Sequence, residues 1–567
     1  MPNGLTHIIT PTDLRRFYPT ELPALAADCR QYLIDTLDQC GGHFAASLGM
    51  VELTIALHYY FNTPTDTLVW DVGHQAYVHK MFTGRQHSLH TIKQLDGLAP
   101  FICPDETPYD SSHTGHACTA ISVALGIALG KQLAGDNSHT IAIIGDAGLT
   151  GGLAFEALNH AATTHANLII LVNDNGMSIS ENVGHLSKHP LEPFFAALGI
   201  AYSVPIDGHD LDACLSAFVE TSMQSGPRVI HARTQKGKGF AAAERSPIRY
   251  HHVTKQFQST PPPTHYLYAN VFGHWLCEAA QQHPELIAIT PAMCEGSDLK
   301  AFRQQYPERY IDTGIAEQHA LALAGGLANQ GQKPVVAIYS TFLQRAYDQL
   351  IHDLALPQAN ALIAIDRAGL VGSDGKTHQG NYDISYLRCI PNTHILTPSN
   401  GHDLHHMLTL GLTQPGLVCV RYPKAPTQPA DQQHDIVWGK AKNIRTGKRV
   451  AILNFGPLLD TAYQVAERLD VTLIDMRFVK PLDIECLSHI AHSHDIIATL
   501  EDHAIAGGAG SAVGEYLATV HYTGKLHLFG IPDEFIAHAT REQQLTRHGL
   551  TARTLYQTLS QLMSNLN

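Results

Sequence analysis

Short apolar runs that stop abruptly at polar residues recur along this chain. "TIAIIGD" begins at Thr140, "GGLAFEALNHAA" follows with apolar residues at helical spacing, and "ANLIILVNDN" is a second apolar run ending in polar residues. Between Thr140 and Pro190 the pattern therefore predicts strand, turn, helix, strand, loop. Short, fully apolar strands alternating with helices predict a parallel sheet covered on both faces. The pattern restarts after "STPPPTHY" (Ser259 to Tyr266), where three consecutive prolines exclude helix and favour an extended connector. "LIAIT", "KPVVAIYST", "ALIAIDRAG" and "THILTPS" form a second block. A further composition break, "RYPKAPTQPADQQHD", precedes "RVAILNFG", the helical "LLDTAYQVAERL", "VTLIDMRFV", "IIATLED" and a helix near Ala552 to Met563. The reading is α/β, with three doubly wound, mostly parallel-sheet domains at 1–258, 266–425 and 426–567, and a Pro-rich linker at 259–265.

Composition narrows this picture. At 567 residues, with domains of roughly 150 residues each, three or four are expected. Charged residues make up 16% of the chain and the net charge is −14 with His neutral, with no basic run, so nucleic acid is a poor partner. The 37 histidines make the net charge fall in magnitude and then reverse in mild acid. Ten cysteines are scattered with no CxxC pair and no tight Cys/His cluster in the linear sequence, which argues against a zinc ribbon and fits a reducing compartment. Met1 to Asp13 has neither a basic start nor an apolar core of the kind a signal peptide needs, and no apolar run reaches about 18 residues. The expectation is a cytoplasmic protein without a membrane partner.

Open parallel sheets bind ligands beyond the carboxyl ends of their strands, so the polar residues at those ends matter most. Asp146 and Asn175 each close one of two successive apolar strands, and a right-handed strand-helix-strand unit sets such ends side by side. A carboxylate and an amide oxygen there suit Mg²⁺, and the helix opening after Asp146 offers N–H groups to a phosphate. The same two residues also suit a helix N-cap and a turn. A fainter feature is an internal echo: "IIGDAGLTGG" and "AIDRAGLVGSDG" both put an acid and an Ala-Gly-Leu turn after an apolar strand.

"GDAGLTGGLAFEALNHA…LVNDNGMSISENVG" resembles the diphosphate-binding motif of thiamine-diphosphate enzymes. More narrowly, the chain resembles the 1-deoxy-D-xylulose-5-phosphate synthase family. The likeness extends over nearly the whole chain, through "HFAASLGMVELTIALHY", "WDVGHQAYVHK", "TQKGKGF", "IAEQHA", "AIYSTFLQRAYDQLIHD", "DRAGLVGSDGKTHQG", "DMRFVKPLD" and "GGAGSAVGEYL". It implies a transketolase-like, thiamine-diphosphate-binding fold, with a diphosphate/Mg²⁺ domain, a pyrimidine domain and a C-terminal domain in that order. It implies a transferase, a carboligase serving isoprenoid and thiamine supply, that takes pyruvate and D-glyceraldehyde 3-phosphate. It also implies a homodimer with the site between the first two domains of one chain.

Carried over position by position, the resemblance makes Asp146, Asn175 and the Met177 carbonyl the Mg²⁺ ligands. Gly145, Ala147 and Gly148 form the turn beside them, and Lys236, Gly115, His116 and Ala117 meet the diphosphate. Glu317 matches the glutamate that hydrogen-bonds the pyrimidine, on which Phe342 stacks. His43, His74 and His251 match pocket histidines that bind the pyruvate carboxylate and move protons; His74 also touches the cofactor. Arg367 and Arg421 match phosphate-binding arginines, whose planar donors suit phosphate, with Tyr339 and Arg345 beside them. Asp374 and His378 would contact the acceptor's hydroxyls or carbonyl.

Four departures stand out. Ala147 replaces a usual glycine, which matters if that position needs a positive φ. Ala117-Cys118 replace two serines. After residue 185 a long stretch is shortened, so a closing segment that gates the site is expected to be missing. "RYPKAP" departs from "RYPRG". Two other readings stay open: another thiamine-diphosphate transferase with a different acceptor, and a degenerate paralogue that binds cofactor without turnover.

Overall fold

The computed structural model describes residues 5–259, 265–429 and 436–565. The centre of the proline run, residues 260–264, and part of the second composition break, residues 430–435, lie outside them. The chain divides into two compact units, Met1–Pro263 with Gly314–Ala316 and Thr264–Thr313 with Glu317–Asn567.

The first unit is built on a parallel sheet in the order Thr67–Trp70, Thr140–Gly145, Leu168–Asp174, Arg228–Arg233 and Ala201–Tyr202, with Ile206–Asp207 also against Arg228–Arg233. Its central strands, Thr140–Gly145, Leu168–Asp174 and Arg228–Arg233, are buried on both faces over nearly their whole length. Ile141 and Ile143 face the core beneath Leu22–Cys40 and Val51–Tyr60, while Ala142 and Ile144 face Ala120–Leu133 and Gly152–Ala161. That division explains why the run reads as continuously apolar rather than alternating. Each of the three isoleucines, fully buried, contributes about 1.5–3 kcal/mol of transfer free energy. A two-stranded antiparallel ribbon, Gly42–His43 with His252–Val253, stands apart from the sheet.

Two sheets make up the second unit. One has seven strands, ordered Tyr310–Asp312, Leu286–Thr290, Lys333–Tyr339, Ala361–Asp366, Leu417–Arg421, Thr393–Leu396 and Phe478–Lys480; all its pairings are parallel except the last. The other has five, ordered Lys442–Arg445, Thr472–Asp475, Arg449–Phe455, His494–Ala504 and Lys525–Ile531, parallel except at the Lys442–Arg445 edge. Phe478–Lys480 lies in the last block of the sequence yet completes the seven-stranded sheet, so the two sheets share one compact unit. The helices expected from "LLDTAYQVAERL" and near the end of the chain span Leu459–Leu469 and Ala552–Ser564. Among the described residues, no helix is long and apolar enough to cross a membrane.

Candidate active site

Register decides what stands beside Asp146. Gly145 pairs with Asn173, so the residue next to Asp146 across the strands is Asp174, one short of Asn175. Asp174 turns to His231, its Oδ2 2.8 Å from Nε2. Asp146 accepts hydrogen bonds at Oδ2 from the Gly176 amide (2.8 Å) and Asn182 Nδ2 (2.7 Å). Its buried Oδ1 has no hydrogen-bond partner among the described residues, and neither has Asn182 Oδ1. Burial, then the Asp174 charge, hold the Asp146 carboxyl well above the usual carboxylate range. An orphaned carboxylate oxygen and an orphaned amide oxygen in a short-handed acidic corner fit a hard divalent cation. Asn175 Oδ1 meanwhile accepts from the Met177 amide at 3.2 Å, and Met177 bridges to Glu181. Lys236 donates to the Ser178 carbonyl; burial pushes its pKa down to about 8, against the pull of Asp146.

Ala147 lies inside the helical turn Asp146–Leu149 and is absent from the positive-φ positions. The strain feared for an alanine there does not arise. Glycine at the next position is needed for space instead, since a Cβ on Gly148 would come 2.8 Å from Asp71 Oδ1. Asp71 was missed as a functional position in the sequence, although it too is an acid ending an apolar strand. It is buried and accepts from the amides of Cys118 (2.9 Å) and Ala120 (3.1 Å), pinning the half-buried His116-Ala117 turn to the start of helix Ala120–Leu133. Gly115 and Cys118 both have positive φ there, +151° and +73°.

The three pocket histidines do come together. Pairing of Gly42–His43 with His252–Val253 sets His43 beside His251, at 5.8 Å between ring centroids. His74, in the turn after Thr67–Trp70, lies 5.9 Å from His43 and 5.5 Å from His251. Nδ1 of both His74 and His251 is buried without a hydrogen-bond partner among the described residues. Burial, with Lys236 adding to it, pushes His74 down to about 3 and His251 well below its ordinary value, so both rings are neutral at neutral pH.

The second unit gathers most of the remaining candidates at strand ends. Glu317 opens helix Glu317–Ala328, is 3% exposed, and meets Arg345 at 3.3 Å. Burial raises its pKa while Arg345 opposes the rise. Tyr339 and Phe342 stack at 5.4 Å, the Arg367 guanidinium lies 3.9 Å above the Tyr339 ring, and His378 meets Phe342 edge-on at 5.7 Å. Arg367 donates to Asp366 and to the Gly296 carbonyl, and Asp374 immediately precedes the turn Gly375–Thr377 that leads to His378. Arg421 stands differently. Its guanidinium is buried and already met by Asp383 (2.9 Å) and Asp502 (3.3 Å), so both carboxylates compete with any phosphate for it.

Known proteins resemble this chain along nearly its whole length. Residues 5–193 match the family model described as 1-deoxy-D-xylulose-5-phosphate synthase. Residues 265–429 match the transketolase pyrimidine binding domain and residues 439–555 the transketolase C-terminal domain. The 1-deoxy-D-xylulose-5-phosphate synthase of Francisella philomiragia is 46% identical, covering 99% of this chain and 99% of the relative. Those of Francisella tularensis subsp. novicida and subsp. tularensis are also 46% identical over 99% of both chains. The first alignment runs over 613 positions against 567 residues here, so at least 46 of them face no residue of this chain, as a shortened segment requires. In this chain the Leu186–Lys188 turn is followed within a few residues by helix Glu192–Leu198. With matches of this identity along its full length, the chain belongs to the 1-deoxy-D-xylulose-5-phosphate synthase family.

Proposed function

We propose that this chain is a thiamine-diphosphate-dependent transferase that decarboxylates pyruvate and joins the remaining two carbons to D-glyceraldehyde 3-phosphate. The products are 1-deoxy-D-xylulose 5-phosphate and carbon dioxide. The observation that carries this reading is the near-full-length identity to synthases of that name, together with a short-handed Asp146 at the strand end where the motif needs a metal ligand.

Thiamine diphosphate, when bound, supplies the nucleophilic carbon and the electron sink. The chain's own residues position, shield and move protons. Asp146 Oδ1, the Asn175 side chain and the Met177 carbonyl would hold Mg²⁺; for Asn175 this means releasing the Met177 amide. Lys236 and the Gly115–Ala117 turn would meet the diphosphate. Glu317, its pKa raised by burial, can hold a proton against a ring nitrogen, with Phe342 as the stacking surface. Neutral His74 and His251 each offer one ring N–H and one acceptor nitrogen, so with His43 they can bind the pyruvate carboxylate and pass a proton without carrying charge. Arg367, Tyr339, Arg345, Asp374 and His378 are the acceptor's groups, and Arg421 joins them only by loosening Asp383 or Asp502. The helical backbone at Ala147 removes the main argument for a degenerate paralogue. The working form in this reading is a homodimer, which sedimentation of the purified protein tests.

The decisive assay mixes purified protein with thiamine diphosphate, Mg²⁺ and pyruvate, and follows carbon dioxide and the sugar phosphate with and without D-glyceraldehyde 3-phosphate. Sugar phosphate formed only with both substrates is expected. Cofactor binding with no carbon dioxide released would overturn the reading.

A further inference from the structure

The linear sequence shows no Cys/His cluster, yet folding makes one. Cys103, Asp105 and His113 bring a sulfur, a carboxylate oxygen and an imidazole nitrogen within 4.8 Å of one another. Cys103 Sγ is already 3.7 Å from Asp105 Oδ2. Cys103 is buried, while Asp105 and His113 face solvent. We infer that Cys103, Asp105 and His113 form a binding site for a zinc-like divalent cation, separate from the Mg²⁺ corner at Asp146.

The loop is built to hold these residues together. The Thr114 amide donates to the Ile102 carbonyl (3.3 Å) and the Ile102 amide donates back to Thr114 Oγ1 (3.3 Å). This reciprocal clasp joins Ile102, the residue before Cys103, to Thr114, the residue after His113, and so sets the two ligands on facing arms. Thr114 Oγ1 donates in turn to the Val72 carbonyl at 2.9 Å. The Cys103 amide donates to Asp110 Oδ2 (2.9 Å), and Asp110 is itself fixed by Arg85 and His79. The Cys103 carbonyl accepts from the Glu106 amide, closing the turn that presents Asp105. A pre-ordered backbone lowers the ordering cost of binding an ion.

The donor types select the ion. Thiolate and imidazole favour zinc and its neighbours over Mg²⁺, which prefers oxygen. Tetrahedral zinc, with bonds of about 2.0–2.3 Å, sets its ligands roughly 3.5 Å apart. The sulfur and carboxylate already have that separation, and the exposed His113 ring closes the remainder by a side-chain rotation. Three protein ligands leave a fourth position for water. On binding, the Cys103 Sγ–H bond breaks, the sulfur electron pair goes to the cation, and the proton is released to solvent. Since Thr114 also bonds Val72, two residues before His74, the ion would stiffen the loop that flanks the histidine pocket.

The test uses full-length protein saturated with thiamine diphosphate and Mg²⁺, so that the Asp146 corner is filled. Zinc is titrated against a chromophoric chelator, and bound metal is counted after gel filtration. One zinc per chain is expected. Cys103→Ser and His113→Ala should each weaken it by more than the roughly 10- to 100-fold lost when an outer partner of a metal ligand is removed. Cobalt in place of zinc should give a thiolate charge-transfer band that Cys103→Ser abolishes. No zinc retained by the wild type at micromolar free metal would overturn the inference, and so would undiminished binding in both variants. His113→Ala changes an exposed side chain, so the comparison survives if Cys103→Ser folds poorly.

Discussion

Asp146 and Asp366 occupy the same place in two echoing stretches, each an acid after an apolar parallel strand and before an Ala-Gly-Leu turn. Their surroundings are opposite. Asp366 is paired with its own neighbour Arg367, whose backbone takes a positive φ of 54°, and accepts from Ser297 Oγ at 3.2 Å. Asp146 is followed by Ala147, faces a second acid, and keeps one oxygen without a hydrogen-bond partner among the described residues. Burial raises both carboxyls; at Asp366 the adjacent Arg367 is the main opposing charge, whereas at Asp146 the Asp174 charge adds to the rise. The residue after the acid sets the difference: Arg367 closes an ion pair at one strand end, and Ala147 offers no such partner at the other.

The largest effect is expected from Asp146→Asn. If Asp146 holds Mg²⁺ as proposed, losing the one charged group among the proposed ligands should lower kcat/KM by on the order of a thousandfold, several kcal/mol of transition-state stabilisation. The same variant without cofactor should melt no lower than wild type at pH 8, because an uncompensated buried carboxylate has been removed. Steady-state kinetics and a thermal melt read the two halves. A variant that loses stability together with activity would make Asp146 a structural cap and not a metal ligand.

Asp366→Asn is expected to do the reverse. It strands the Arg367 guanidinium in a buried setting and should cost about 3 kcal/mol of stability, read by urea unfolding of the cofactor-free protein. If Asp146→Asn destabilises as much, the two strand ends are not opposites after all.

A smaller effect separates them by pH. The folded, metal-free protein holds a proton on Asp146 to higher pH than the unfolded chain does, and cation binding expels it. Mg²⁺ affinity should therefore fall by up to about tenfold per pH unit below that raised pKa. Stability from the protonated Asp146 is present below the ordinary carboxylate pKa and is lost as pH rises through the raised one. Calorimetric titration of Mg²⁺ in buffers of different ionisation enthalpy measures the proton release, and none released would count against the raised carboxyl. The smallest effect is expected from Ala147→Gly: helical backbone there predicts a loss of about 0.5–1 kcal/mol in stability and no gain in cofactor affinity.

The sheets were legible in the sequence because buried parallel strands are spelled as unbroken apolar runs, as in Ile141–Ile144 and Leu168–Val172. Motif resemblance singled out Asp146, Glu317 and the three histidines, and the fold sets those histidines together. Partners that depend on strand register were not. Nothing local ties Asp174 to His231, Asn182 to Asp146, or Arg421 to Asp383 and Asp502. Phe478–Lys480 is too short to show a period, so its place in the seven-stranded sheet could not be read from pattern. Cys103 and His113 meet because of the Ile102–Thr114 clasp, which leaves no spacing signature.

The small ribbon of Gly42–His43 with His252–Val253 joins the first and last parts of the first unit. Contacts between residues so distant in sequence form late, since the chain between them must be ordered first. On a ribosome, the sheet strands Thr67–Trp70 to Arg228–Arg233 emerge before His251 does. A nascent chain stopped at Arg233 would carry Asp146 and Asp174 without the His43–His251 pairing, so under the proposed function the groups assigned to the cation are made before the group of histidines assigned to the keto acid is complete.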